Sequence, residues 1–395
     1  MEFTQDVFAE QMKPITGSAI RQVFHLLARP GMISFAGGNP SADALDVDTV
    51  SALAQEALAQ NGKAILQYGA TEGWAPLRES IAEFVKRAGI EAKPAEVLPV
   101  HGSQQALDLL LKAVINPGDV ILAESPTFLG ALQAMRTYSA RVESIATDEQ
   151  GVIPEAAEEA IRAHHPKLMY IIPTFQNPTG KALPTERRKA IAELAAKYGV
   201  VVAEDDPYRD LRYQGNPLPA IKSFDREGWV VFLGSFSKII SPGLRVGYLL
   251  AAQGLLRKCT IGKQGTDLHT PNLNQAIIDQ FLRRDLLDPH VQSIIPGYRE
   301  KLELMLEELS SFPEGTRYTA PEGGLFIFVE MPEGFDATAL FSEAVERGVA
   351  YVPGTHFYPD GGHHNTLRLN FSNSTPEQIH EGMGKLRELF AAHLG

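Results

Sequence analysis

One cysteine occurs in 395 residues. Cys259 therefore closes no intrachain disulfide and builds no all-cysteine metal site, which fits a reducing compartment. Basic charge is scarce as well. Thirty-six Lys and Arg against 48 Asp and Glu give a formal net charge of −12, the wrong sign for a nucleic-acid binder. No apolar run approaches the roughly 18 residues of a membrane span. Met1-Glu2-Phe3-Thr4-Gln5-Asp6 has neither a basic nor an apolar stretch, so no secretory signal is expected there. Neither G-x-G-x-x-G nor G-x-x-x-x-G-K-[ST] occurs, which weakens nicotinamide and nucleoside-triphosphate readings. Repeats and low-complexity stretches are missing too. These absences leave an acidic, cytoplasmic protein of enzyme size with no nucleic-acid or membrane partner.

What is present is an ordinary globular balance, 44% apolar and 21% charged, enough to build a sizeable core. At about 100–200 residues per domain, two units are expected. Seven strand-like runs fall between residues 95 and 251: Val97–Val100, Val120–Ala123, Arg141–Ile145, Leu168–Ile172, Val200–Ala203, Val230–Leu233 and Val246–Ala251. Helix patterns intervene, such as Ala106–Val114 with Leu107, Leu110, Leu111 and Val114 on one face, and Glu186–Tyr198 with Ile191, Leu194 and Ala195. Several of these runs are apolar throughout, and their alternation with helices predicts an α/β fold, a mainly parallel sheet wrapped by helices. Beyond residue 285 the pattern becomes α+β. A helix is expected over Pro296–Leu309, a strand at Leu325–Val329, a helix near Ala337–Arg347, strands at Ala350–Val352 and Thr366–Phe371, and a closing helix. Near the amino end Ile20, Val23, Phe24 and Leu27 have helical spacing. The expected division is an arm over 1–45 packing with a small domain of 291–395, and a large domain of 46–290.

Four strand-like runs end in polar sets. Val230–Leu233 runs into Gly234-Ser235-Phe236-Ser237-Lys238, with Arg245 seven residues on. Carboxyl ends of strands are where α/β sheets bind ligands. A lysine desolvated there becomes a nucleophilic amine, and an arginine fork suits a phosphate. Leu168–Ile172 runs into Pro173-Thr174-Phe175-Gln176-Asn177-Pro178-Thr179-Gly180, and Val200–Ala203 into Glu204-Asp205-Asp206-Pro207-Tyr208. Val97–Val100 runs into His101-Gly102-Ser103-Gln104-Gln105, where a helix start offers amide N–H groups to an anion. Each set alone reads as a turn, a solvated loop or a helix cap. Four at successive strand ends are hard to explain as unrelated caps. His363-His364, in a Gly/Asp-rich turn without a third ligand, reads as a surface loop, and no metal is expected.

Ser-Phe-Ser-Lys (235–238), Asn-Pro-Thr-Gly (177–180), Asp-x-x-Tyr (205–208) and Leu-Arg-Leu-Asn-Phe-Ser (367–372) together resemble the fold-type I, pyridoxal-phosphate-dependent class I/II aminotransferases. Ser18-Ala19-Ile20-Arg21, Ser34-Phe35-Ala36-Gly37-Gly38-Asn39-Pro40, Gly102–Asp108 and Gly265–Pro271 make the chain similar to the 2-aminoadipate/kynurenine aminotransferase II branch. The resemblance runs from about residue 15 to the carboxyl end. It implies pyridoxal 5'-phosphate as cofactor, a seven-stranded sheet, and transfer of the amino group of an L-amino acid to 2-oxoglutarate by a ping-pong route. Glutamate, 2-aminoadipate and leucine-like or aromatic amino acids are the implied donors.

By the same resemblance Lys238 joins the cofactor aldehyde and shuttles the α-proton. Asp205 pairs with the pyridine nitrogen, and Asn177 and Tyr208 bind the phenolic oxygen. Ser103, Gln104, Ser235, Ser237 and Arg245 hold the phosphate. Tyr68, in Leu66-Gln67-Tyr68-Gly69, reaches it from the second subunit of a homodimer with shared active sites. Phe128 stacks on the ring where close relatives usually carry tyrosine. Arg368 clamps the substrate α-carboxylate with Gly38 and Asn177 beside it, and Arg21 meets a side-chain carboxylate. Two alternatives share the residues: a lyase or decarboxylase using the same cofactor, and a non-catalytic cofactor-sensing regulator. The second is not expected, since about 20 residues precede Arg21 here and a DNA-binding domain needs more.

Overall fold

Runs of Val, Ile and Leu form the central sheet, because β-branched side chains pack well on a pleated, covered surface. The computed structural model describes residues 7–13, 15 and 31–394. Its main strands are β1 (Val97–Val100), β2 (Val120–Glu124), β3 (Arg141–Ile145), β4 (Leu168–Ile171), β5 (Val201–Asp205), β6 (Val230–Ser235) and β7 (Gly247–Leu250). They lie in the order β1-β7-β6-β5-β4-β2-β3. Strands β3, β2, β4, β5 and β6 are parallel, and β7 runs antiparallel to both β6 and β1. All strands but β7 therefore point the same way, and their carboxyl ends share one edge.

Both faces of the sheet are covered. On one, Leu107, Leu110 and Leu111 of helix Ser103–Val114 pack with Leu98, Tyr170 and Val231. On the other, Ile191, Leu194 and Ala195 of helix Thr185–Tyr198 pack with Met169, Val202 and Val230. Each such leucine contributes on the order of 2 kcal/mol.

The smaller sheet has four antiparallel strands, Arg317–Tyr318, Phe326–Glu330, Thr366–Asn370 and Val352–Pro353, in that spatial order. The expected strand over Ala350–Val352 is in fact two. Val349–Ala350 pairs in parallel with Ile33–Ser34, while Val352–Pro353 joins Thr366–Asn370. The amino-terminal segment is thereby stitched to the carboxyl-terminal part of the chain.

Two helices differ from expectation. The helix ending at Leu309 starts at Leu287, not Pro296, and carries Pro296 inside it. Leu287, Val291, Tyr298, Leu302 and Met305 are buried along it, and that burial outweighs the hydrogen bond which proline cannot make. The helix expected near Ala337–Arg347 is confined to Phe341–Glu346. Asp336 accepts the N–H groups of Thr338 and Ala339, both at 2.9 Å, and so forms a separate turn ahead of it. The helix expected around Ile20–Leu27, with Arg21, lies outside the described residues. Among the described residues no helix is long and apolar enough to cross a membrane.

Candidate active site

A cavity of about 440 Å³ opens at the shared carboxyl edge of the sheet. Ser103, Gln104, Phe128, Asn177, Asp205, Tyr208, Ser235, Ser237, Lys238 and Arg245 border it from the large sheet and its loops. Arg368 borders it from the smaller sheet, and Gly38 from the amino-terminal segment. Twelve of the fourteen expected residues thus meet in one place. Tyr68 does not. It is 79% exposed, its ring lying 6.1 Å from that of His269. Arg21 lies outside the described residues.

Lys238 is held by a single hydrogen bond, donated by Nζ to the Gly38 carbonyl at 2.7 Å. Burial, with Arg368 and Arg245 adding positive charge nearby, pulls its ammonium down to about 8. A usable fraction is therefore free amine near neutral pH.

Asp205 ends β5, buried. Its Oδ2 accepts the Tyr170 hydroxyl at 2.7 Å, whereas Oδ1 is buried with no partner. Burial raises it to about 6 even though Tyr170 and Ser103 stabilise the carboxylate. A buried acceptor without a donor costs roughly 1–3 kcal/mol, so the site is built for a donor that arrives from outside the chain.

Arg368 is equally buried. Nη1 donates to Asn177 Oδ1 at 2.8 Å and Nη2 to the Ala36 carbonyl at 2.7 Å, while Nε has no partner. The guanidinium carbon lies 4.2 Å from the Phe326 ring centroid and 5.1 Å from that of Phe357. Burial draws its guanidinium down to about 10. A desolvated cation with a spare N–H suits a carboxylate.

Arg245 sits at φ +52°, donating from Nη2 to the His101 carbonyl at 2.9 Å and from Nη1 to Ser237 Oγ at 3.4 Å. Among the described residues it has no carboxylate partner. Gly102 precedes helix Ser103–Val114 at φ +76°, and a Cβ there would lie 2.8 Å from Arg245 Nη2. Only glycine fits that turn. Helix-start amides, Ser235, Ser237 and an uncompensated arginine could together hold a phosphate.

These donors fit pyridoxal phosphate. Unpartnered Asp205 Oδ1 can take the pyridinium N–H, Lys238 the aldehyde, and Asn177 with Tyr208 the phenolic oxygen. Asn177 Nδ2 is 3.5 Å from Tyr208 Oη. Sequence reasoning missed Tyr170, Asn39, Leu129, Gln133 and Phe326. Leu-Met-Tyr-Ile reads simply as an apolar strand, and nothing in it signals the hydroxyl that meets Asp205. Leu129 and Gln133, one helical turn apart after Phe128, were findable by spacing alone.

Glu124, at the end of β2, is a further buried carboxyl. It accepts the Ile172 N–H at 2.8 Å, and burial pushes it up to about 8. Between the ordinary glutamate value near 4.5 and pH 8 the folded chain keeps a proton that the unfolded chain releases. Its contribution is therefore full below about pH 4.5 and is lost as pH rises through 8. Glu124→Gln is expected to raise Tm on the order of 5 °C at pH 8.5, with the gap closing toward pH 5 in thermal melts. A gap independent of pH would show that Glu124 is ionised in the fold.

Comparison with known proteins agrees with this chemistry. The family model for aminotransferase class I and II matches residues 30–386. The chain is 39% identical over 388 residues to aromatic-amino-acid aminotransferase 1 of Thermococcus litoralis, covering 96% of this chain and 93% of that protein. It is 40% identical over 385 residues to 2-aminoadipate transaminase of Thermus thermophilus, covering 96% of each. Among solved structures, Pyrococcus horikoshii kynurenine aminotransferase in complex with PMP superposes with a TM-score of 0.95 at 38% identity, covering 99% of this chain and 98% of that one. The chain belongs to the class I and II aminotransferase family and is a pyridoxal-phosphate-dependent transaminase.

Proposed function

We propose that the enzyme transfers the amino group of an L-amino acid with an acidic, aromatic or leucine-like side chain to 2-oxoglutarate by a ping-pong route. The observation that carries this reading is the buried Arg368, with its unpartnered Nε, facing the same cavity as the desolvated Lys238. When bound, pyridoxal phosphate supplies an aldehyde and a protonated ring able to hold the electron pair left on Cα.

The chain does the rest. Arg368 binds the α-carboxylate, with Asn177 and the Gly38 backbone alongside, and so orients Cα toward Lys238. Lys238 Nζ would hold the cofactor aldehyde and, as a free amine, would take and return the α-proton. Asp205 Oδ1 keeps the ring nitrogen protonated, and Tyr170 holds that carboxylate in place. Asn177 and Tyr208 would donate to the phenolic oxygen, and Phe128, which has no hydroxyl, would pack on the ring. Ser103, Gln104, Ser235, Ser237 and Arg245 anchor the phosphate.

A homodimer completes this reading, with Tyr68 reaching the partner's phosphate. Exposed Leu66, Tyr68 and Leu268 support it, since the Tyr68 ring meets that of His269 and Asn272 donates to the Gln67 carbonyl, tying the two segments together. The domain division proposed is 1–45, 46–290 and 291–395, and the acidic charge and lone cysteine support a cytoplasmic setting.

Among the described residues, no cation borders the cavity beyond Lys238, Arg245 and Arg368, and those have roles. The second carboxylate of glutamate, 2-aminoadipate or 2-oxoglutarate is assigned to Arg21 by the resemblance of Ser18-Ala19-Ile20-Arg21 to the 2-aminoadipate branch. A panel of donors against 2-oxoglutarate tests this. Arg21→Ala is expected to lower kcat/KM for 2-aminoadipate and glutamate by roughly 10- to 100-fold, the value of a charged hydrogen-bonded pair. Aromatic donors should change by less than about threefold in the half-reaction. Uniform loss across the panel would sink the assignment. Release of ammonia and a 2-oxo acid without amino transfer would favour the lyase.

A further inference from the structure

The Gly265–Pro271 segment contains a charge cluster that the reaction does not use. Lys263, on the helix leading into this segment, is fully buried, and its Nζ donates to Asp267 Oδ2 at 2.8 Å, Asp267 Oδ1 at 3.0 Å and Gln105 Oε1 at 3.0 Å. Asp267 Oδ2 also accepts Gln105 Nε2 at 2.7 Å and lies 2.9 Å from His101 Nε2. Gln105 Oε1 in turn accepts the His101 backbone N–H at 2.8 Å. The His101 carbonyl is the acceptor for Arg245 Nη2 at 2.9 Å.

One carboxylate therefore grips His101 twice, through its imidazole and, by way of Gln105, through its backbone amide. His101 is the last residue before the left-handed Gly102 and the helix start. With its N–H and its imidazole both held, the Cα of His101 is fixed, and a shift of this residue would swing its carbonyl off Arg245 and disturb the turn together. The charges are arranged to the same end. Lys263 and Asp267 neutralise each other, which leaves Arg245 without a competing carboxylate and free for an incoming dianion.

We propose that Asp267 is a positioning residue for the phosphate cradle, setting the His101 carbonyl through Gln105 and thereby the direction of the Arg245 fork. Asp267 touches neither cofactor nor substrate in this scheme. The inference rests on the assignment of Arg245 and the Ser103 helix start to the phosphate.

The test compares affinity for pyridoxal phosphate with affinity for pyridoxal, which lacks the phosphate. Both are titrated into the cofactor-free protein and followed by fluorescence quenching. Asp267→Asn keeps the shape but turns an acceptor into a donor facing Lys263 and Gln105. It is expected to weaken pyridoxal phosphate by about tenfold, one charged hydrogen bond's worth, and pyridoxal by less than about twofold. Gln105→Leu, which leaves the Lys263–Asp267 pair intact, should give the same selective loss and decides the matter if Asp267→Asn does not fold. Equal weakening of both ligands would reveal a general structural role and overturn the proposal, as would no weakening at all. Arg245→Gln is the control for the underlying assignment. If it left the preference for pyridoxal phosphate untouched, the cradle reading itself would fall. If it abolished the preference while Asp267→Asn and Gln105→Leu kept it, only the Asp267 inference would fall.

Discussion

Lys238→Ala is expected to lower amino transfer by at least ~10³-fold while leaving the fold intact. The magnitude follows from removing the group that both binds the cofactor aldehyde and moves the α-proton, since a positioned acid–base group alone contributes 10²–10⁴-fold. The intact fold follows from the geometry. Nζ makes one hydrogen bond, to Gly38, and the ammonium is destabilised by burial and by two arginines. Removing that charge relieves repulsion, so Tm of the cofactor-free variant should not fall. The measurement is the yield of 2-oxo acid in a single turnover, set beside a thermal melt. Turnover within tenfold of the parent would show that another group takes the proton, and the role of Lys238 would be lost.

Asp205→Asn should reduce turnover by a comparable factor for a different reason. The carboxylate offers Oδ1, without a partner, to a protonated ring nitrogen. An amide carries no charge to keep that proton in place. The same substitution should stabilise the cofactor-free protein. Asp205 is raised from 3.8 to about 6 by burial, so its contribution is full below about pH 4 and is lost as pH rises through 6. Above that, ionising it in the fold costs on the order of 2–3 kcal/mol, which asparagine does not incur. Melts of the two cofactor-free proteins should diverge from pH 4 to 7 and then run parallel, with the inactive variant the more stable. An Asn variant that melts lower at pH 8 would mean that Asp205 is satisfied within the chain. A stable variant without activity is the signature of a residue kept for function at the expense of stability.

Much of this architecture could be read from local pattern. All seven strands of the main sheet lie within two residues of the expected runs; the inner strands are largely apolar because both their faces are covered, whereas the edge strand Arg141–Ile145 carries Arg141, Glu143 and Ser144 and is only partly buried. Two errors share a cause. Pro296 and the Ala350–Val352 run are ambiguous locally. They are decided by what lies across from them: the buried face of a 23-residue helix in one case, two separate partner strands in the other. At the site, Asp205, Lys238 and Asn177 were legible because they belong to polar sets that close or follow apolar strands, and Arg245 because it stands close behind Lys238 in the same connection.

The sequence by itself determined the acidic balance, the alternation of strands and helices, and the identity of the polar groups at four strand ends. These are properties of the local chain: period, composition and turn chemistry. Only the tertiary structure decided that Tyr170 holds Asp205, that Arg368 lies against Phe326 and Asn177 from residues far away in the chain, and that Asp267 reaches the Arg245 loop through Gln105 and His101. Each of these depends on side chains separated by tens to hundreds of residues meeting within about 3 to 4 Å. Such meetings arise from the packing of two sheets and their helices, and no single stretch of sequence contains them. The lone cysteine is settled the same way. Cys259 is buried on a helix against Leu109, part of the core and no part of the chemistry.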